Sequence, residues 1–433
     1  MLKTLRNAWK IIDLRKKILF TLFMVLLYRL GNAVPVPFIN VTALGAYFDT
    51  LSNTVLGLYN VMSGSAFSMG TIFALSIQPY INASIIIQLL TIAIPYLENL
   101  SKEGGEEGKK KIERITRYTT VGLALLQGFG YYTLCSANGL LNANGHGFLP
   151  GFVIVMTFVA GSSVIMWMGE QITEFGIGNG ISIILFVSIV SRLPNAVVSA
   201  VNNIIANPGS WWIYLLVLIG ALAMIVLIVL VSDAERRIPV QYSKRVVGRK
   251  VYGGQSTHLP LKVNMSGVLP IIFAQSIASL PATIFAFTGV TKTGEGFWSG
   301  FYRNFDTDTW IYMVVYFLLI IFFSYFYSTI QFNPVEVSNN LRKNGGYIPG
   351  FRPGKPTSDF ISKVLNKVTL FGAIYLGVIA IVPLIVNAVS ETARNSGIAV
   401  GGTSLIIIVG VALETVKALE AQMVMRNYKG FLE

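Results

Sequence analysis

Side chains able to do acid–base, metal or nucleophilic chemistry are scarce, and they avoid the apolar part of the sequence. There is one cysteine, Cys135, and there are two histidines, His146 and His258. That excludes an intrachain disulfide and a cysteine metal cluster. All six Asp (13, 49, 233, 306, 308 and 359) fall outside the long apolar runs. Among the Glu, only Glu414 sits well inside such a run, while Glu98 and Glu170 stand at run ends. Proton relays and ion-coupled sites need ionisable groups at membrane depth, so this pattern argues against an ion-coupled transporter and an intramembrane protease. Two Gly-rich strings could in principle cradle a phosphate, and both fail in detail. Gly176–Gly180 (GIGNG) lacks the preceding strand and the third-glycine spacing of a dinucleotide site, and reads instead as a tight helix start at a crowded axis. Gly350–Pro356 (GFRPGKP) has Pro356 where a phosphate loop needs Ser or Thr. No catalytic residue, cofactor or metal is expected. What remains is isoleucine and amide. Ile77 and Ile81 are four apart and share a helical face, which Ser84 and Gln88 continue, whereas Gln78 and Asn82 point elsewhere. Gln275 stands beside Ser276 and Ser279. Such amides either pack helices together or form a polar seam between two helices that must part.

The elements that carry these residues are membrane spans. Of 433 residues, 53% are hydrophobic and 12% charged, with mean hydropathy +0.63. This is the composition of an all-α polytopic membrane protein. Ten apolar runs have near-spanning length: Ile18–Pro35, Ile72–Leu97, Thr116–Ala137, Phe148–Gly169, Ile177–Leu193, Trp211–Val231, Met265–Thr288, Thr309–Gln331, Lys367–Val389 and Ile398–Lys417. The basic stretch before the first reads as a short interfacial helix, with Trp9, Ile12 and Lys16 on one side. Basic residues before an apolar run also describe a signal peptide, but Pro35, Pro37 and the many later runs favour a first span. The organising stretch is Tyr59–Asn99. Its first third is small and polar (Ser63, Gly64, Ser65, Ser68, Gly70, Thr71), so it predicts a short, weak helix. An apolar run follows, in which Pro79 is expected to make a kink. Broken backbone at membrane depth is tolerated only where protein or a water-filled cavity surrounds it.

Charge fixes the expected orientation. Of the 33 Lys and Arg, 28 lie on the side shared by the termini and the even-to-odd loops. Four (Arg192, Lys292, Arg303, Arg394) lie opposite, and Arg29 is inside the first run. The positive-inside rule then places both termini in the cytoplasm. Arg29 is read either as a snorkelling side chain or as half of an ion pair. Two basic loops are long. The six–seven loop carries Arg236, Arg237, Lys244, Arg245, Arg249 and Lys250 on β-branched sequence and reads as a hairpin. The eight–nine loop carries Arg342, Lys343 and Arg352 among Gly, Pro and Asn and reads as ordered turns rather than helix. Their charge is either solvated positive-inside charge or a dock for an acidic or RNA-bearing cytoplasmic partner.

Five strings, PYINASIIIQLL (Pro79–Leu90), GEQITEFGIGNGISI (Gly169–Ile183), QSTHLPLKVNMSGVLP (Gln255–Pro270), FNPVEVSNNLRKNGGYIPGFRPG (Phe332–Gly354) and GGTSL (Gly401–Leu405), resemble the SecY/Sec61-alpha family, which supplies the large channel subunit of the Sec protein translocase. The resemblance implies ten transmembrane helices in two inverted, pseudo-symmetric halves, residues 1–197 and 198–433, around an hourglass pore. It implies a pore ring of Ile77, Ile81, Ile181, Leu185, Ile272 and Ile407, with Leu185 at a position where the family often has Ile. It implies a helical plug over Asn60–Thr71, including Asn60, Ser63, Gly64, Ser65, Phe67 and Gly70. It also implies a lateral gate between spans two and three and spans seven and eight, for which Gln88 and Gln275 are the candidate seam. The basic loops would dock a ribosome or the SecA ATPase, with Arg352, Arg245 and Arg249 foremost. The implied partners are SecE-like and SecG-like small membrane subunits, signal sequences, unfolded polypeptides and the lipid bilayer, in the bacterial plasma membrane. The alternative from the residues alone is an inverted-repeat small-solute transporter.

Overall fold

The computed structural model describes residues 2–51, 54–102, 104–206, 208–242, 245–247, 250–252, 256–265, 267–287, 297, 299–300, 309–389 and 402–429. Lys244, Arg249, Lys292, Arg303 and Arg394, the end of the seventh run at Thr288 and the start of the tenth lie outside them. The backbone of Arg245 and Lys250 is described, but not their side chains.

The chain is mostly helical. A short basic helix α1 (Leu2–Lys10) precedes α2 (Ile12–Gly31), and α3 (Val41–Thr50) and α4 (Val55–Met62) follow. Then come α5 (Gln78–Ala93), α6 (Pro95–Lys102), α7 (Gly105–Ala137), α8 (Phe148–Phe175), α9 (Gly180–Val190), α10 (Leu193–Ala206) and α11 (Trp211–Asp233). After four short strands come α12 (Leu269–Phe287), α13 (Trp310–Gln331), α14 (Pro334–Lys343), α15 (Lys355–Val389) and α16 (Gly402–Lys429). Every one of the ten apolar runs holds a helix. Six helical stretches are long and apolar enough to cross a membrane, one of them α9 and α10 taken together, or seven if the bent pair α5–α6 counts as one span. Three runs fall short for visible reasons. The helix α2 carries Arg15, Lys16, Lys17 and Arg29, the apolar part of α7 is diluted by Thr119, Thr120, Gln127, Tyr131, Tyr132 and glycines, and the described part of α12 is short.

Several expectations are corrected. Pro79 makes no kink. It occupies the first turn of α5, where the missing N–H is not needed, and residues 72–77 before it form turns. The sharp bend comes at the other proline. Ile94 is extended (φ −109°, ψ 114°) as a residue before proline tends to be, and α6 leaves α5 at 104°. The weak helix is displaced from Asn60–Thr71: it ends at Met62, and Ser63–Gly70 are consecutive turns. The eight–nine loop is not all turn, since Asn333 caps α14 through Oδ1, which accepts from Val335 N (3.1 Å) and Glu336 N (3.4 Å), with Pro334 next. The Gly176–Gly180 string does form a tight helix start. Asn179 Oδ1 accepts from Ile181 N (3.0 Å), and a Cβ on Gly180 would strike the Gly169 carbonyl.

The two basic loops build one small domain. Strand β1 (Glu235–Tyr242) pairs antiparallel with β4 (Ser256–Lys262), with Ile238 opposite Leu259. Between them β2 (Arg245–Val247) and β3 (Lys250–Tyr252) form the expected hairpin. From the eight–nine loop, β5 (Gly346–Tyr347) joins the free edge of β1, giving the order β4–β1–β5. Alternation along β1 turns Ile238 and Val240 inward, where they pack with Leu261, Ile348 and Ile361.

Candidate functional site

The largest hydrophobic cluster draws buried side chains from α2, α4, α5, α8, α9, α11, α12, α13, α15 and α16. Ile77, Ile81, Leu185, Ile272 and Ile407 are all buried in it, and the half-buried Ile181 packs against it. All six residues expected to form a ring therefore come together. They arrive from four helices far apart in sequence, each presenting one or two turns. Ile77 precedes α5, and its carbonyl accepts from Ile81 N (3.0 Å), which stacks the two along one face. Ile181 and Leu185 occupy the first turns of α9 behind the Asn179 cap.

Against one end of this cluster sit α4 and the turns after it. They hold a non-helical path by bonding to themselves. Asn60 Oδ1 accepts from Ser68 N (3.0 Å), Asn60 O accepts from Ser65 N (3.0 Å), and Ser63 Oγ accepts from Phe67 N (3.1 Å). Ser65 pays for the route with φ 72°, unusual for a residue with a Cβ. Gly64 is pressed on the end of α9, and a Cβ there would stand 2.9 Å from the Ser188 carbonyl. Phe67 is the anchor. Its ring meets Tyr131 (4.9 Å) and Phe48 (5.1 Å) edge-on, and the Tyr131 hydroxyl donates to its carbonyl (2.7 Å). All six residues expected to form a plug lie in this segment, with Ser65 and Gly64 half-buried and the others buried.

The two glutamines expected at a seam have different neighbours. Gln88 Oε1 accepts a 2.6 Å bond from the Tyr327 hydroxyl of α13, and Gln88 Nε2 donates to Ser84. Gln275 lies elsewhere, buried on α12 beside Ser276 and Ser279 and lining a small crevice with Tyr59, Met62 and Gln78. Ser279 donates to the Tyr59 hydroxyl (3.2 Å), and Gln78 Nε2 points to Met62 Sδ (3.0 Å). Among the described residues, Gln78 Oε1, Asn82 Nδ2 and Gln275 Oε1 are buried with no hydrogen-bond partner. Buried, unsatisfied amides are costly, so this boundary between α5 and α12 is not packed for greatest stability. Sequence reasoning sends Gln78 and Asn82 elsewhere and misses Tyr59 and Tyr327. An aromatic hydroxyl in an apolar run is the signal that could have found the last two.

At the opposite end from α4, Arg236 and Arg237 on β1, Arg342 and Lys343 in the last turn of α14 and Arg352 after it are all exposed. Arg237 Nε bonds Glu235 Oε1 at 2.7 Å. Arg352 sits on a firm turn, where its carbonyl accepts from Thr357 Oγ1 (2.8 Å) and Phe351 stacks on Phe360 (4.1 Å). Arg29 is exposed at the end of α2. Among the described residues no cluster of His, Cys, Asp and Glu could hold a metal ion.

A family model described as SecY matches residues 71–416. The protein translocase subunit SecY of Streptomyces scabiei is 46% identical over 443 residues, covering 100% of both chains. That of Streptomyces coelicolor is 44% identical, again over 100% of both. Among solved structures, a SecY protein whose plug domain stabilises the closed state of its translocation channel superposes with a TM-score of 0.66 at 17% identity, covering 95% of this chain and 92% of that one. Sec61 in a canine ribosome-channel complex gives 0.59 at 15% identity, covering 95% and 93%. With the family model spanning most of the chain and the Streptomyces sequences aligning end to end, the chain belongs to the SecY family.

Proposed function

We propose that the chain is the channel subunit of a bacterial protein translocase. It passes unfolded secretory polypeptides across the plasma membrane and releases membrane segments sideways into it. One observation carries this reading: six aliphatic side chains from four helices converge in a single cluster, capped at one end by a segment whose backbone is held in turns. A pore wide enough for a polypeptide must be sealed at rest. A constriction of branched aliphatic groups dewets and holds neither ions nor water, and it can close around any extended sequence without binding it. The segment Asn60–Thr71 is the plug of this seal.

The halves 1–197 and 198–433 part along α5 and α12, with Gln88–Tyr327 and the unsatisfied amides of Gln78, Asn82 and Gln275 as the seam. A segment entering there partitions by ordinary transfer energies, about −0.3 to −0.6 kcal/mol per Leu-like residue and about +2.5 to +3.5 for a charge at mid-helix. The sheet and the exposed arginines form the cytoplasmic dock for the ribosome or the SecA ATPase, SecE-like and SecG-like subunits brace the halves, and both termini are cytoplasmic. The chain itself catalyses nothing in this reading, and its driving energy is supplied by partners. The solute-transporter alternative finds no support in the family or the relatives.

Ion conductance of reconstituted channels tests the seal. Deleting Asn60–Thr71, or the single change Ile407→Asn, is expected to raise resting conductance and to admit defective signal sequences. Unchanged conductance and unchanged stringency in both variants would defeat the reading.

A further inference from the structure

One carboxylate inside the spans, Glu414, belongs neither to the ring nor to the seam. It lines a cavity of about 240 Å³ at the sheet end of α16, together with Lys262 and Lys417. Its Oε1 lies 2.5 Å from where a Cβ on Gly267 would stand, and Gly267 takes φ +63°. That backbone conformation favours glycine. Gly267 opens the turn into α12, whose first backbone N–H groups have no partner within the helix and whose positive dipole end favours a carboxylate. The neighbouring contact is equally close. A Cβ on Gly410 would run into Val268 Cγ1 and stand 3.9 Å from Val268 Cβ.

These contacts are in register with the seal. Ile407, Gly410 and Glu414 recur at three- and four-residue steps and share one face of α16. Val268 lies one turn before Ile272, whose N–H donates to its carbonyl (3.3 Å). Lys417 is tied to Asp233 of α11 at 2.6 Å, which fixes this end of α16 from behind. We propose that Glu414 is a positioning residue for the constriction: its charge clasps the start of α12 to α16 and so fixes Ile272 against Ile407. The consequence for sealing rests on the ring reading; the clasp itself does not.

The test uses the full chain in proteoliposomes with Cys135→Ser, Val268→Cys and Gly410→Cys. The 3.9 Å separation of the two Cβ positions suits a disulfide, so its rate of formation under a mild oxidant reports how firmly the junction is held. Glu414→Gln keeps the side-chain shape and removes the charge. It is expected to slow crosslinking about fivefold, the population shift of an ordinary charge–helix interaction, and Glu414→Ala at least as much. Without the introduced cysteines, Glu414→Gln should also raise resting ion conductance. Crosslinking of Glu414→Gln at the parent rate would overturn the clasp. Slowed crosslinking with unchanged conductance would keep the clasp and overturn the ring reading instead.

Discussion

At the scale of single residues, the gate is a matter of which polar atoms are satisfied. The Tyr327 hydroxyl donates a hydrogen bond to Gln88 Oε1 across the boundary between α5 and α13. Tyr327→Phe removes that bond from a half-buried amide oxygen, at a cost of about 0.5–1.5 kcal/mol to the closed arrangement. Channels carrying it are expected to pass precursors with weakened signal sequences several-fold better than the parent. Equal discrimination would show that the bond does not latch the gate. Ile77 and Ile81 can be grouped from their four-residue spacing, whereas Ile181, Leu185, Ile272 and Ile407 are singled out only by the family resemblance. The hydroxyl partners are not legible in the sequence. A tyrosine in an apolar run reads as lipid-facing or core until the opposing amide is known, and the amide here is 239 positions away. Gln78 and Asn82 escape a periodicity reading for a related reason: a helix has several neighbours, so a side chain off the ring face can still be buried against another one.

At the scale of elements, the turn-rich segment after α4 depends on tertiary anchors rather than on helical bonding. The 2.7 Å bond from Tyr131 to the Phe67 carbonyl is the strongest of these. Tyr131→Phe leaves the Phe67 carbonyl only the longer bond from Gly70 N (3.4 Å), at a cost of about 0.5–1.5 kcal/mol, and should speed labelling of a cysteine placed at Ser68. A rate equal to that of the parent cysteine channel would mean that the aromatic packing suffices. Pro79 gives the contrary prediction. It lies in the first turn of α5, so Pro79→Ala should shift stability by less than about 1 kcal/mol. A loss of about 3 kcal/mol or more would restore the role of a structural kink. Low helix propensity correctly marks Ser63–Gly70 as weak, but it does not say that the helix stops at Met62. That boundary is set by Asn60 and Ser63 bonding forward to Ser65, Phe67 and Ser68. The small sheet is half legible. The hairpin can be read from β-branched residues, whereas the pairing of β5 with β1 joins two loops separated by α12 and α13 and leaves no local trace.

At the scale of the whole molecule, the proposed function is that of a sealed passage, in which four helices supply the constriction, a turn-rich segment covers it, and basic loops build a platform at the far end. The apolar runs and the sidedness of charge are legible because hydropathy and Lys/Arg counts are sums over many residues and tolerate local error. Which helices meet at the centre is not legible from periodicity, since several faces of these helices are apolar. The measurement that tests the central claim most directly asks whether a polypeptide passes through the cluster. In a Cys135→Ser channel carrying Ile81→Cys, reconstituted with a small membrane subunit and the motor ATPase, a secretory chain with one cysteine is arrested part-way and oxidised. The expected result is a disulfide between position 81 and the arrested chain that requires both ATP and a signal sequence. Active translocation without any such crosslink would contradict the passage.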